Sequence, residues 1–110
     1  MRARAQGARG GLVVVWEFRV RPNKRRVFER VYGPQGDWVK LFRSGRGYIR
    51  TEMIRDLEFP NKYLTLDYWR SRRDYQQFQK KHREAYRVLD EKCEALTSNE
   101  KKIGEFGIKA

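Results

Sequence analysis

Along residues 12–21 apolar and polar positions alternate with a period of two. Val14, Trp16, Phe18 and Val20 fall on one side, while Val13 and Val15 begin the other before Glu17, Arg19 and Arg21 take it over. This is the pattern of a strand with one buried face and a second face that is apolar at one end. Pro22 ends it, because proline brings no N–H to a ladder. From Asn23 the spacing changes to that of a helix, with Val27, Phe28, Val31 and Tyr32 on one side. Gly33-Pro34-Gln35-Gly36 interrupts that helix. Asp37 is placed to cap a restart in which Trp38, Leu41 and Phe42 are the buried positions.

A second strand is predicted over residues 48–57, with Ile49, Thr51, Met53 and Leu57 on one face. The segment around Pro60-Asn61 is short enough for a hairpin into a third strand. That strand, Tyr63-Leu64-Thr65-Leu66-Asp67-Tyr68-Trp69, is aromatic, branched and apolar, as a largely buried strand requires. It passes without a loop into a helix. Ser71 can cap this helix by accepting from a backbone N–H, and Asp74 adds negative charge to its first turn. The spacing predicts one long helix over 72–96 with an apolar stripe of Tyr75, Phe78, His82, Tyr86, Leu89, Cys93 and Leu96. Residues 97–102 read as a connector and 103–108 as a short last strand.

The order strand, helix, strand, strand, helix, strand defines an α+β chain. Right-handed crossovers fold it into a ferredoxin-like βαββαβ unit, a four-stranded antiparallel sheet with the helices on one face. The first strand is apolar on both sides, so the other sheet face calls for a cover of its own, a second subunit or a nucleic-acid strand, or for none if that face is polar elsewhere.

Composition narrows the choice. With 110 residues, 39% of them hydrophobic, the chain makes one domain with a modest core, here placed at 12–110. Residues 1–11 hold Arg2, Arg4 and Arg9 with no acid, among glycines, and read as a flexible basic tail. No apolar run is long enough to span a membrane, and the single Cys93 forms no internal disulfide. A cytoplasmic protein is expected. The 26 Lys and Arg against 14 Asp and Glu give a net charge of +12. Those charges are scattered over every element, often beside an acid, which describes a solvated basic surface more than a polyanion site.

Much chemistry is excluded. The only histidine, His82, rules out a His-rich metal site, and no P-loop or Gly-x-Ser-x-Gly elbow is present. Arg46-Gly47-Tyr48 imitates the start of an RNA-recognition motif, but Ile49 and Arg50 follow where a small and an aromatic residue belong. It also sits on the second strand, not the third. Nucleic acid is therefore not the expected partner.

In this order, Val15-Trp16-Glu17-Phe18, Gly47-Tyr48-Ile49, Asp67-Tyr68-Trp69-Arg70-Ser71 and the run from Tyr32 to Phe42 resemble the antibiotic biosynthesis monooxygenase family of dimeric α+β barrels. The resemblance covers roughly residues 12–108. It implies a homodimer with sheets packed face to face, no membrane, and a pocket between sheet and helices of each subunit. It also implies cofactor-free oxygenation of an aromatic or polycyclic small molecule, or a protein of the same fold that binds such a ligand without chemistry. Haem-degrading members place Asn, Trp and His where this chain has Phe18, Phe78 and Val88, so their constellation is missing and no cofactor is expected.

The candidate catalytic residues are His82, whose ordinary pKa of about 6.5 suits proton abstraction near neutrality, and Asp67 near the strand end. Trp16, Phe18, Tyr68, Trp69, Phe78 and Tyr86 are the candidate pocket lining. Each has a plainer alternative, as a hydrogen-bonded core histidine, a rim carboxylate, or core and interface aromatics. No metal ligands are expected.

Overall fold

The computed structural model describes residues 11–109. Its central strand is β1, Leu12–Val20. A 3-10 turn, Pro22–Lys24, leads into α1, Arg25–Tyr32, and the short α2, Asp37–Phe42, follows. Strands β2, Tyr48–Arg55, and β3, Lys62–Trp69, form a hairpin. Helices α3, Arg72–Lys81, and α4, Arg83–Cys93, lead through the 3-10 turn Glu94–Leu96 into β4, Thr97–Gly107. All strand pairs are antiparallel, in the order β2-β3-β1-β4, which is the ferredoxin-like sheet.

Period-two alternation decides which residues meet the helices. On β1, Leu12, Val14, Phe18 and Val20 are buried; on β3, Tyr63, Thr65, Asp67 and Trp69 are. Aromatic rings make most of this core. Phe28 stacks on Tyr32 at 4.3 Å and meets Phe18 and Tyr63 at 5.2 and 5.0 Å. Trp69, fully buried, packs against Phe42, Tyr75 and Phe78. The junction after it forms as expected, with Asp74 N–H donating to Ser71 Oγ at 3.0 Å.

Four expectations change. The long helix is two, broken at His82, whose φ of −113° and ψ of 30° are not helical. No glycine or proline marks the break. It lies between Phe78, which packs on Trp69, and Tyr86, which meets Trp38 edge-on at 4.9 Å, so packing against two different elements bends the chain. Asp37 is not the cap of α2; Gly36 is, because a Cβ there would strike the carbonyl oxygens of Val31 and Arg30. Ile49 and Leu57 do not share the face of Thr51. A bulge between Tyr48 and Arg50 turns Ile49 outward, and Leu57 stands fully exposed beyond the strand. Residues 97–102 belong to β4, since pairing with β1 overrides their polarity. The expected basic tail lies outside the described residues except for Gly11, which precedes β1 and accepts from Ile108 N–H at 3.1 Å through its carbonyl.

Candidate functional site

Strand alternation and the bend at His82 together leave a space between sheet and helices. It is a cavity of about 100 Å³, open to solvent on one side. Trp16 and Phe18 of β1, Thr51 of β2, and Thr65 and Asp67 of β3 form its floor. Tyr32 of α1, Trp38 and Phe42 of α2, and Tyr86 of α4 enclose it. Asp90 of α4 and Glu100 of β4 complete the lining at its more exposed edge.

Asp67 is a strongly perturbed carboxyl on its floor. Its side chain is buried, and loss of water around the carboxylate pushes the pKa up from 3.8 to about 7, while the Thr51 hydroxyl bond pulls the other way. Thr51 Oγ1 donates to Asp67 Oδ1 at 2.7 Å and lies 2.8 Å from the Tyr48 hydroxyl. A threonine has one proton to give, so with Asp67 ionised Tyr48 donates to Thr51 and Thr51 to Asp67. If Asp67 takes a proton, the same three oxygens can reverse direction. The chain runs from a half-buried tyrosine to the cavity floor.

The other end is also polar. Trp38 is 6% exposed, and its indole N–H meets no acceptor at full hydrogen-bond geometry but lies close enough to the Tyr32 hydroxyl and the Cys93 thiol to favour their ionised forms. Burial, then Cys93, raise the pKa of the Tyr32 hydroxyl, and Glu100 adds to the rise. Burial and the neighbouring Asp90 and Glu94 raise that of Glu100. Among the described residues, no group of three or more metal-ligating side chains occurs.

Of the sequence candidates, Trp16, Phe18, Asp67 and Tyr86 come together at this cavity. Trp69 and Phe78 lie in the core beside it. His82 stands at the break between α3 and α4, its ring 5.1 Å from that of Phe78, with Nε2 buried and unpartnered, and it does not line the cavity. Tyr68 is on the opposite sheet face, donating to Glu52 at 3.1 Å under the Arg50 guanidinium. Thr51, Tyr32 and Trp38 escaped the sequence reading as site residues. Thr51 carried a signal, a lone hydroxyl on the face of a strand opposite Asp67; Tyr32 and Trp38 read only as core.

Comparison with known proteins agrees with this architecture. The sequence profile of the family described as antibiotic biosynthesis monooxygenase matches residues 11–88. Curated proteins provide no match. Among solved structures, the chain is similar to SnoaB, a cofactor-independent oxygenase from Streptomyces nogalater, with 17% identity and a TM-score of 0.72 over 92% of this chain and 95% of that one. A protein from Bordetella bronchiseptica, also named for antibiotic biosynthesis monooxygenase, is similar at 17% identity and a TM-score of 0.70, over 92% and 99%. One from Nitrosomonas europaea is similar at 13% and 0.66, over 89% of each. At these identities the structural likeness speaks for the fold, and the profile match for the family. This chain belongs to the antibiotic biosynthesis monooxygenase family.

Proposed function

We propose that this protein is a cofactor-independent oxygenase of small aromatic molecules, with Asp67 as the base that takes a proton from the bound substrate. The observation that carries the reading is a buried carboxyl with a pKa near 7 on the floor of an aromatic cavity. A base poised near the working pH transfers protons efficiently in both directions. For a ring CH2 activated by a carbonyl, Asp67 removes one proton and the carbanion adds to dioxygen, forming C–OOH. Loss of the second C–H proton with cleavage of the O–O bond leaves C=O and releases water. The substrate supplies all the electrons. Thr51 and Tyr48 would hold Asp67 in place and exchange its proton with the exterior.

Oxygen uptake with a panel of quinols and anthrones tests this. Asp67→Asn should lower turnover by about 10²–10⁴-fold, whereas His82→Ala should leave it near wild type, since His82 does not reach the cavity. Full activity in Asp67→Asn would overturn the mechanism.

The cavity's size favours a second reading, a ligand-binding protein without chemistry. About 100 Å³ is less than the ~150 Å³ known to hold benzene. A ring therefore enters only in part, with the rest of a polycyclic molecule in the open mouth. Binding without oxygen uptake across the panel would select this reading.

We further propose a homodimer that buries the outer sheet face. Val13, Val15, Leu64, Leu66 and Tyr68 are half-buried there, and Ile54 and Phe106, at 50% and 46% exposure, border them. The helices, all on the far side, cannot reach these residues. Light scattering should give about twice 13.3 kDa; a monomer would refute the pairing.

A further inference from the structure

The turn between β2 and β3 sets two apolar side chains in open water. Leu57 is fully exposed and Phe59 is 57% exposed, and both lie beyond Arg55, the last residue of β2. The backbone that carries them is tied down. Asp56 Oδ1 accepts from the N–H groups of Glu58 and Phe59 at 2.7 and 2.9 Å, and the Phe59 carbonyl accepts from Lys62 N–H at 2.9 Å. A turn held in this way keeps its apolar side chains off the core, so their exposure is a property of the fold. The base of the hairpin is bonded to a basic run. Val20 N–H donates to the Asn61 carbonyl at 2.7 Å, and Arg25 Nη1 donates to Asn61 Oδ1 at 3.1 Å. Residues 19–26 hold Arg19, Arg21, Lys24, Arg25 and Arg26 with no acid, and the hairpin adds Arg55 and Lys62 against Asp56 and Glu58. Arg19 and Lys62 pair with Glu17, and Lys62 also with Asp56. Among the described residues the other five cations make no ion pair. An exposed apolar tip beside unpaired cations is complementary to an anionic lipid surface, which offers both an apolar interior and negative phosphates.

We propose that this end of the molecule docks on an anionic lipid surface. Leu57 and Phe59 enter the boundary between headgroups and acyl chains, and the unpaired cations meet lipid phosphates. A projecting tip offers an acidic peptide no groove to lie in, whereas a bilayer yields around it. A second copy of the chain brings the same net charge of +12, which opposes contact at a basic end. No helix among the described residues is long and apolar enough to cross a membrane, so the attachment is peripheral. It departs from the absence of a membrane that the family resemblance implies. It also goes beyond the oxygenase reading and needs neither turnover nor a ligand in the cavity, so either can fail without the other.

Co-sedimentation of the intact protein with vesicles at physiological ionic strength tests this. Vesicles of phosphatidylcholine mixed with phosphatidylglycerol should bind it at least about tenfold more strongly than phosphatidylcholine alone. The double variant Leu57→Ser, Phe59→Ser keeps every charge and should bind the mixed vesicles about tenfold more weakly than the wild type. Arg21→Gln, Arg26→Gln should weaken binding by about as much. Arg46 and Arg70 are also exposed but stand at the opposite end of the β2–β3 hairpin, where Arg70 N–H donates to the Gly47 carbonyl. Arg46→Gln, Arg70→Gln removes the same charge and should change binding by less than about threefold. This control separates docking by one end from adsorption of a basic protein in any orientation. Equal binding to the two kinds of vesicle, no binding to either, full binding by the Leu57/Phe59 variant, or an equal loss in the Arg46/Arg70 variant would each overturn the proposal. Light scattering supplies one more refutation: a Leu57/Phe59 variant of half the wild-type mass would assign the tip to a subunit contact.

Discussion

Replacing Asp67 by Asn should make the protein more stable, and by an amount that grows with pH. Asn keeps the shape and still accepts from Thr51, but it removes a charge that burial disfavours. The folded pKa is about 7 and the unfolded value 3.8. Because the folded value is raised, the folded state holds this proton more tightly than the unfolded chain does. The wild type therefore loses stability as pH rises from about 4 to 7, and the loss is complete above 7. At about 1.4 kcal/mol per pKa unit, the difference between wild type and variant should widen by roughly 3 kcal/mol between pH 5 and pH 8. Water entering from the open side of the cavity will reduce that figure.

Urea unfolding of both proteins at the two pH values, at one protein concentration, measures it. Taking the difference between the two proteins cancels surface carboxylates such as Asp56 and Glu105, whose pKa values are lowered and whose contribution is lost in acid instead. Equal pH dependence in the wild type and the Asp67→Asn variant would show that Asp67 titrates as an ordinary carboxyl. The assignment of Asp67 as a base poised near neutrality would then fall with it.

Three further substitutions test the frame around the site. Gly47→Ala should cost about 1–3 kcal/mol in urea unfolding, because Gly47 has φ of 87° and a Cβ would run into the Asp74 carboxylate. Ser71→Ala removes the oxygen that accepts from Asp74 N–H and should lower stability by about 1 kcal/mol, read from the thermal midpoint. Leu66→Arg places a charge in the middle of the outer sheet face and should halve the mass seen by light scattering while leaving far-ultraviolet circular dichroism unchanged.

The fold is written in short-range patterns, which is why the residues predict most of it. The alternation in β1, the aromatic and apolar run of β3, the stop at Pro22 and the cap at Ser71 each act within a few positions. The sequence-based reading fails where a distant partner decides. Ile49 alternates correctly with Thr51 and Met53, yet pairing of β2 with β3 inserts a bulge and turns it to solvent. Residues 97–102 are polar enough for a connector, yet the open edge of β1 recruits them into β4.

The site follows the same division. Asp67 is visible in the sequence as the one acid of an aromatic strand, with no face assigned to it, and Trp16, Phe18 and Tyr86 as apolar positions on inward faces. The stripe from Tyr75 to Leu96 assumes one straight helix, whereas the chain breaks at His82, leaving its ring beside Phe78 and Tyr86 edge-on to Trp38. The same break carries Asp90 toward β4, where the recruited edge strand supplies Glu100. Both acids thus reach the cavity through the two features that local pattern does not encode.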